Sequence, residues 1–80
     1  MKNKAQDFQN IYNQYGVLVY NVALHYVQNI EDAEEITQDV FVQVYHSLEN
    51  FSQKSTFKTW IYRIAINKSL DFIKHKNSKK

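Results

Sequence analysis

The sequence predicts an all-α fold, a compact domain of three helices. The chain has 80 residues with one glycine and no proline, and few breakers of this kind are typical of helical proteins. In three segments the apolar residues recur at steps of three and four, which lays them along one face of a helix. Two polar stretches, VQNIEDAEE and SLENFSQKST, interrupt this periodicity. Eighty residues suffice for one domain with a single core.

The first predicted helix covers residues 5–27. Its inner stripe consists of Phe8, Ile11, Tyr12, Tyr15, Leu18, Val22, Ala23 and Tyr26. Val17 and Val19 are expected to widen that stripe. Gly16 lies within the helix at a cost of about 1 kcal/mol relative to alanine. It either permits a close approach between helices or is simply tolerated.

The second predicted helix covers residues 30–48. Asn29 is expected to cap it, with Asp32 three positions later as a capping-box partner, and acids in the first turn suit the helix dipole. The inner stripe consists of Ala33, Ile36, Val40, Val44 and Leu48. Phe41, Val42 and Tyr45 are expected to lie off this stripe.

The third predicted helix covers residues 56–76, and a polar, basic tail follows at 77–80. Ser55 or Thr56 can cap it. The residues available to the core are Phe57, Trp60, Ile61, Ile64, Ala65 and Phe72.

Charge is divided between two blocks of the chain. Residues 31–50 hold six acids and no Lys or Arg, whereas residues 51–80 hold eight Lys or Arg and one acid, Asp71. Blocks of one sign favour two different partners, one basic and one polyanionic. Two solvated helix faces would give the same pattern.

Several classes of protein are excluded by what the sequence lacks. There is no cysteine and no apolar run of ~18 residues, and the start MKNKAQDFQN lacks the apolar core of a signal peptide. We therefore predict a cytoplasmic protein without membrane insertion. The three histidines are scattered, no catalytic or phosphate-binding motif occurs, and neighbouring carboxylates diverge on a helix. We predict no enzyme, no metal site and no cofactor.

Aromatic rings alternate with cations from Phe51 to Lys76. Single-stranded nucleic acids bind such surfaces because bases stack on rings while cations follow the phosphates. Phe51 stands alone in a polar loop and is the better candidate for a base contact. Trp60 could equally belong to the core.

The segments DAEEITQDVFVQVYHSLENF and STFKTWIYRIAINKSLDFI resemble region two of bacterial sigma factors, in the extracytoplasmic-function group of the sigma-70 family. Members of this group often read D-A-E-D-hydrophobic-x-Q-E-x-F, then F-x-x-x-S-x-F-x-T-W-L-Y-R-I-A-x-N. The resemblance extends from about Phe8 to Lys76. It implies a promoter-recognition domain that supports transcription initiation.

The resemblance implies that the second helix binds core RNA polymerase, at the basic clamp helices of its largest subunit. The residues that would make this contact are Asp32, Glu35, Gln38, Asp39 and Phe41, with Tyr45 at the edge. Many relatives have an inhibitory anti-sigma factor, which is a further candidate partner.

The resemblance also implies that the loop ENFSQKST and the third helix bind the melted non-template strand of the minus-ten promoter element. A base flipped out of the stack would enter a pocket in the loop. The pocket residues would be Asn50, Phe51, Ser52, Gln53 and Lys54. The helix would add Lys58, Trp60, Tyr62, Arg63, Asn67 and Lys68. Among them Asn67 best suits a direct base contact, because an amide both donates and accepts.

The chain departs from the family pattern in two respects. Relatives frequently carry a glycine and an acid after the loop phenylalanine, where this chain has Ser52-Gln53-Lys54, so we expect a different base preference. Family members also continue through a linker to a second helical domain, region 4, which reads the minus-thirty-five element. A chain ending at Lys80 is expected to be a fragment or a single domain that binds weakly and does not direct initiation from a full promoter.

Two alternatives stay open from the residues alone. A helical protein–protein adaptor would bind no nucleic acid in a sequence-dependent way. A non-specific DNA-binding helical domain would bind duplex at least as well as a single strand.

Overall fold

Three α-helices pack against one another in the computed structural model, which describes residues 4–48 and 56–78. They are α1 (Lys4–Val27), α2 (Ile30–Ser47) and α3 (Phe57–Ser78), and each contacts the other two. The described ranges contain no strand. The predicted all-α fold of three helices is confirmed.

A two-residue connection joins α1 to α2. Gln28 has a φ of 53°, the left-handed conformation that ends many helices, and its N–H donates to the Leu24 carbonyl at 2.7 Å. Asn29 is extended, and its side-chain oxygen accepts from the backbone N–H of Asp32 at 2.9 Å. Asn29 is therefore the N-cap of α2, as predicted.

The start of α3 has a cap of the same kind. The Thr56 hydroxyl accepts from the backbone N–H of Thr59 at 3.1 Å. Of the two predicted cap residues, Thr56 thus fills the role, and Ser55 lies outside the described residues.

The buried core draws on all three helices. It consists of Val19, Ala23, Ala33, Ile36, Val40, Phe41, Val44, Ile61, Ile64 and Ala65. On α1 the stripe differs from the prediction, because Val19 is fully buried whereas Val17 is 71% exposed. Two helical positions turn a side chain by about 200°, so both valines cannot widen the same stripe.

Two hydroxyl groups lie in the core without help from a neighbouring helix. Thr37 Oγ1 donates to the Ala33 carbonyl at 2.7 Å, and Ser69 Oγ donates to the Ala65 carbonyl at 2.8 Å. Because each bonds to its own helix four positions back, neither buried hydroxyl is left unpaired.

Gly16 does not mark a close approach between helices. A Cβ at this position would meet only the Tyr12 ring, at 3.6 Å, which is ordinary van der Waals contact. Of the two interpretations of Gly16, the structure favours a glycine that is tolerated.

Candidate protein-binding and nucleic-acid-binding surfaces

An acid row, defined as Asp32, Glu35 and Asp39, runs along the side of α2 that borders α3. Spacings of three and four residues place these carboxylates on one side of the helix. They line a hollow of about 480 Å³ together with Phe72, His75 and Lys76 of α3. Glu35 and Asp39 are exposed, and neither forms an ion pair within the described ranges. Their charges can therefore meet a basic partner.

Asp32 differs from the other two members of the acid row. Its carboxylate accepts a hydrogen bond from Lys76 Nζ at 3.0 Å, and this contact is also an ion pair. The Asp32 side chain is 21% exposed and that of Lys76 is 66% exposed. A predicted protein-binding carboxylate is thus paired with a lysine of its own chain.

Gln38 and Tyr45 lie on the neighbouring side of α2, next to α1. They border an apolar hollow of about 490 Å³, which is lined also by Phe8, Tyr12, Phe41, Val42 and His46. A second hollow between the same helices shares Tyr12 and Gln38 with the first. The predicted polymerase-binding residues therefore divide between an acidic side and an apolar groove.

Phe41 is part of the core, so its predicted position off the inner stripe is wrong. It is 2% exposed, with its ring centroid 4.8 Å from that of Tyr12 and 6.2 Å from that of Phe8. A side chain that is covered in this way offers no surface to a partner. Phe41 instead supports the groove from below, while Val42 and Tyr45 are exposed, as predicted.

The α1 wall of this groove was missed in the sequence. Phe8 stacks edge-on against Tyr45, with centroids 5.2 Å apart, and Tyr12 is 45% exposed. The sequence did contain a sign of this surface, because α1 has more apolar residues than one buried stripe of a helix can hold. Those that remain exposed form a surface.

The predicted nucleic-acid-binding residues of α3 lie on more than one side of the helix. Trp60, Arg63 and Asn67 are separated by three and four positions and share one side, and Arg63 and Asn67 are exposed. Lys58 and Tyr62 are exposed as well, but four positions apart they form a separate row.

Trp60 and Lys68 are only half-buried. Trp60 packs against the core, and its ring lies 5.2 Å from that of Phe57, which in turn lies 5.6 Å from the Tyr15 ring of α1. Lys68 follows Ile61 by seven positions and Ile64 by four, on the inward side of α3.

The predicted base pocket belongs to the segment between α2 and α3. Asn50, Phe51, Ser52, Gln53 and Lys54 lie outside the described residues. The described chain stops at Leu48 and resumes at Thr56, directly before the ring pair of Phe57 and Trp60. In the sequence, the predicted pocket residues therefore follow the end of α2 that borders the apolar groove and precede the basic helix.

Residues 4–48 and 56–78 contain neither a candidate metal site nor a candidate membrane-spanning helix. No group of His, Cys, Asp or Glu there could hold a metal ion. None of the helices is both long and apolar enough to cross a bilayer.

Comparison with known proteins gives a consistent set of matches. Residues 11–79 match the family described as Sigma-70 region 2. The ECF RNA polymerase sigma factor SigW of Bacillus subtilis is 34% identical over 77 residues, which are 95% of this chain and 41% of SigW. The ECF RNA polymerase sigma factor SigE of Mycolicibacterium smegmatis is 33% identical over 86% of this chain and 26% of SigE.

The ECF RNA polymerase sigma-E factor of Escherichia coli is 29% identical over 90% of this chain and 37% of that protein. The chain therefore spans less than half the length of these relatives. No solved structure matches it. Since the family match covers most of the chain and the relatives are ECF sigma factors, the chain belongs to the Sigma-70 region 2 family, in its extracytoplasmic-function group.

Proposed function

We propose that this domain recognises promoters for a bacterial RNA polymerase. It binds core polymerase through α2 and holds the melted non-template strand of the minus-ten element with the 49–55 loop and α3. The function is one of binding, without catalysis, and its setting is the cytoplasm. The observation that carries the proposal is the match of residues 11–79 to Sigma-70 region 2.

The charge of α2 supports a basic partner protein. Within the described chain Glu35 and Asp39 stand exposed without ion pairs, and α2 contains no Lys or Arg. Complementary charge on a partner speeds encounter and fixes orientation. The apolar groove beside α1 adds rings, Tyr12 and Tyr45, of the kind enriched at interface centres. The clamp helices of the polymerase largest subunit, which are basic in this family, would match the acid row.

The outer surface of α3 supports a nucleic-acid ligand. Arg63 and Asn67 are exposed on one side and Lys58 and Tyr62 on another, so α3 offers cations for phosphates together with an amide and a ring for bases. Bases that stack on aromatic side chains contribute roughly 1–3 kcal/mol each. A strand leaving the loop would meet these groups in succession.

Selection from a random oligonucleotide library tests the nucleic-acid half of the proposal and does not require a known promoter sequence. The 80-residue chain would be incubated with single strands carrying a randomised core, and bound sequences would be enriched. We expect one motif to emerge, to bind more tightly than its scrambled version, and to lose affinity as salt rises. Failure to enrich any motif would support the adaptor, and preference for duplex would support the non-specific DNA binder.

Phe51→Ala sharpens this test. It should weaken binding of the enriched strand by roughly five- to a hundredfold, corresponding to one lost stack, while polymerase binding is unchanged. Phe57→Ala is the contrasting variant, because Phe57 packs against the core and its loss should lower the melting temperature. An equal loss of both activities in Phe51→Ala, with a lower melting temperature, would place Phe51 in the core instead.

A further inference from the structure

One ion pair connects the start of the acidic helix with the end of the basic helix. Lys76 Nζ lies 3.0 Å from Asp32 Oδ2, between residues 44 positions apart in the sequence. The pair stands beside Phe72, and the three residues border hollows on both sides, one of about 140 Å³ and one of about 480 Å³. Open space around the pair leaves room for another cation to approach Asp32.

The pair joins a carboxylate that is mostly covered to an ammonium that is mostly exposed. The Asp32 side chain is only 21% exposed, and its backbone N–H is fixed by the Asn29 cap. The Lys76 side chain is 66% exposed, and lysine has a flexible four-carbon stem. Exposed ion pairs of this kind are weak, so a partner's cation can displace Lys76 while Asp32 stays in place.

We propose that Lys76 is an internal competitor of the polymerase: it occupies Asp32 in the free domain and leaves when the basic clamp helices dock. This inference rests on the proposed function, in which Asp32 is a polymerase-binding residue.

The test compares Lys76→Met with Lys74→Met. Methionine keeps most of the apolar stem and removes the charge. Lys74 is a matched control because it is exposed on the same turn of α3 and forms no ion pair with the described part of the chain. Affinity for core RNA polymerase of Bacillus subtilis, measured at low salt, should be about two- to fivefold higher for Lys76→Met than for Lys74→Met. The difference should shrink at high salt, because exposed charges are screened.

The variant Asp32→Asn shows whether the higher polymerase affinity of Lys76→Met depends on the Asp32 carboxylate. In that background Lys76→Met should bind no more tightly than Lys74→Met. If the two methionine variants bind polymerase equally well in the native background, Lys76 does not compete for Asp32. The same follows if the gain of Lys76→Met survives in the Asp32→Asn background. Either result leaves the proposed function intact. If the unaltered chain does not bind polymerase at all, both the proposed function and the proposed competition by Lys76 are wrong. Melting curves of all variants check that each is folded.

Discussion

α2 and α3 bury similar inner stripes and present opposite charges outward. Both place alanine and isoleucine in the core, such as Ala33 and Ile36 from α2 and Ile61 and Ala65 from α3. Along its length α2 carries five acids and no Lys or Arg, whereas α3 carries five Lys or Arg and one acid. The inner sides thus pack the three helices together, and under the proposed function the outer sides select the partners.

The outward charges are also arranged differently. Asp32, Glu35 and Asp39 form one row on α2, whereas Lys58 and Arg63, five positions apart, lie in separate rows on α3. A single row suits a partner that lies along one line, as another helix does. Cations on two sides suit a ligand that bends around the helix, as a single strand leading into a duplex would.

The largest expected effect tests what the two helices share. Ile36→Ala and Ile61→Ala should each lower the free energy of unfolding by about 2–5 kcal/mol, because each leaves a cavity in the core. Val42→Ala is the control, since Val42 is 57% exposed and its loss should stay within about 0.5 kcal/mol. Denaturant titration measures all three. A small effect at one isoleucine only would mean that its helix is not packed as described, and Ile→Val variants keep the comparison possible if the alanine variants do not fold.

The next expected effect separates the two helices by partner. Asp39→Arg places a cation in the acid row, so affinity for core polymerase should fall about tenfold or more. The melting temperature and binding to the enriched single strand should change little, because Asp39 is exposed. Asp71→Arg on α3 is a matched reversal of an exposed acid outside the acid row. Equal losses in both variants would mean that net charge, and not the acid row, governs docking.

A comparable test from the other helix replaces Asn67 by alanine. If its amide contacts a base, binding to the enriched strand should weaken roughly tenfold, within the range of 1–3 kcal/mol for a lost polar base contact, while binding to scrambled strands should not. Asn21→Ala removes an exposed amide from α1 and should have no effect on either strand. Similar behaviour of Asn67→Ala and Asn21→Ala would remove Asn67 from the interface.

How much could be predicted differs between the inner and outer sides of the helices. On α2 the core residues Ala33, Ile36, Val40 and Val44 were predicted correctly, because a helical period acts within one segment. Phe41 was not, because its burial depends on Phe8 and Tyr12 of another helix, which the spacing within α2 cannot reveal.

The candidate site shows the same limit. Spacing predicts that Asp32, Glu35 and Asp39 share a side, but it cannot reveal that Asp32 alone is paired with Lys76, 44 positions later. Likewise, spacing cannot reveal that Ser69 is fully buried with its hydroxyl bonded to the Ala65 carbonyl of its own helix. The base-pocket residues from Asn50 to Lys54 stay a prediction.

The smallest expected effect concerns the first turns of α2 and α3. Asn29→Ala and Thr56→Ala each remove a side-chain acceptor for a backbone N–H, at a typical cost of about 1 kcal/mol. Without its cap, α2 keeps Glu31 and Asp32 in the first turn, whereas α3 has no acid there and carries Lys58. Acids stabilise the positive end of a helix dipole and a cation opposes it, so Thr56→Ala should fray α3 more than Asn29→Ala frays α2.

Amide hydrogen exchange of residues 58–60 and 31–33 measures this difference, with Asn29→Ser and Thr56→Ser as controls that keep an acceptor. The acidic first turn should retain more protection than the basic one after loss of its cap. Equal fraying would mean that tertiary packing, and not the charge that distinguishes the two helices, holds their first turns. In that case the helix dipole would not explain the acids at the start of α2. The ion pair of Asp32 with Lys76 and binding to a partner would remain as reasons for their position.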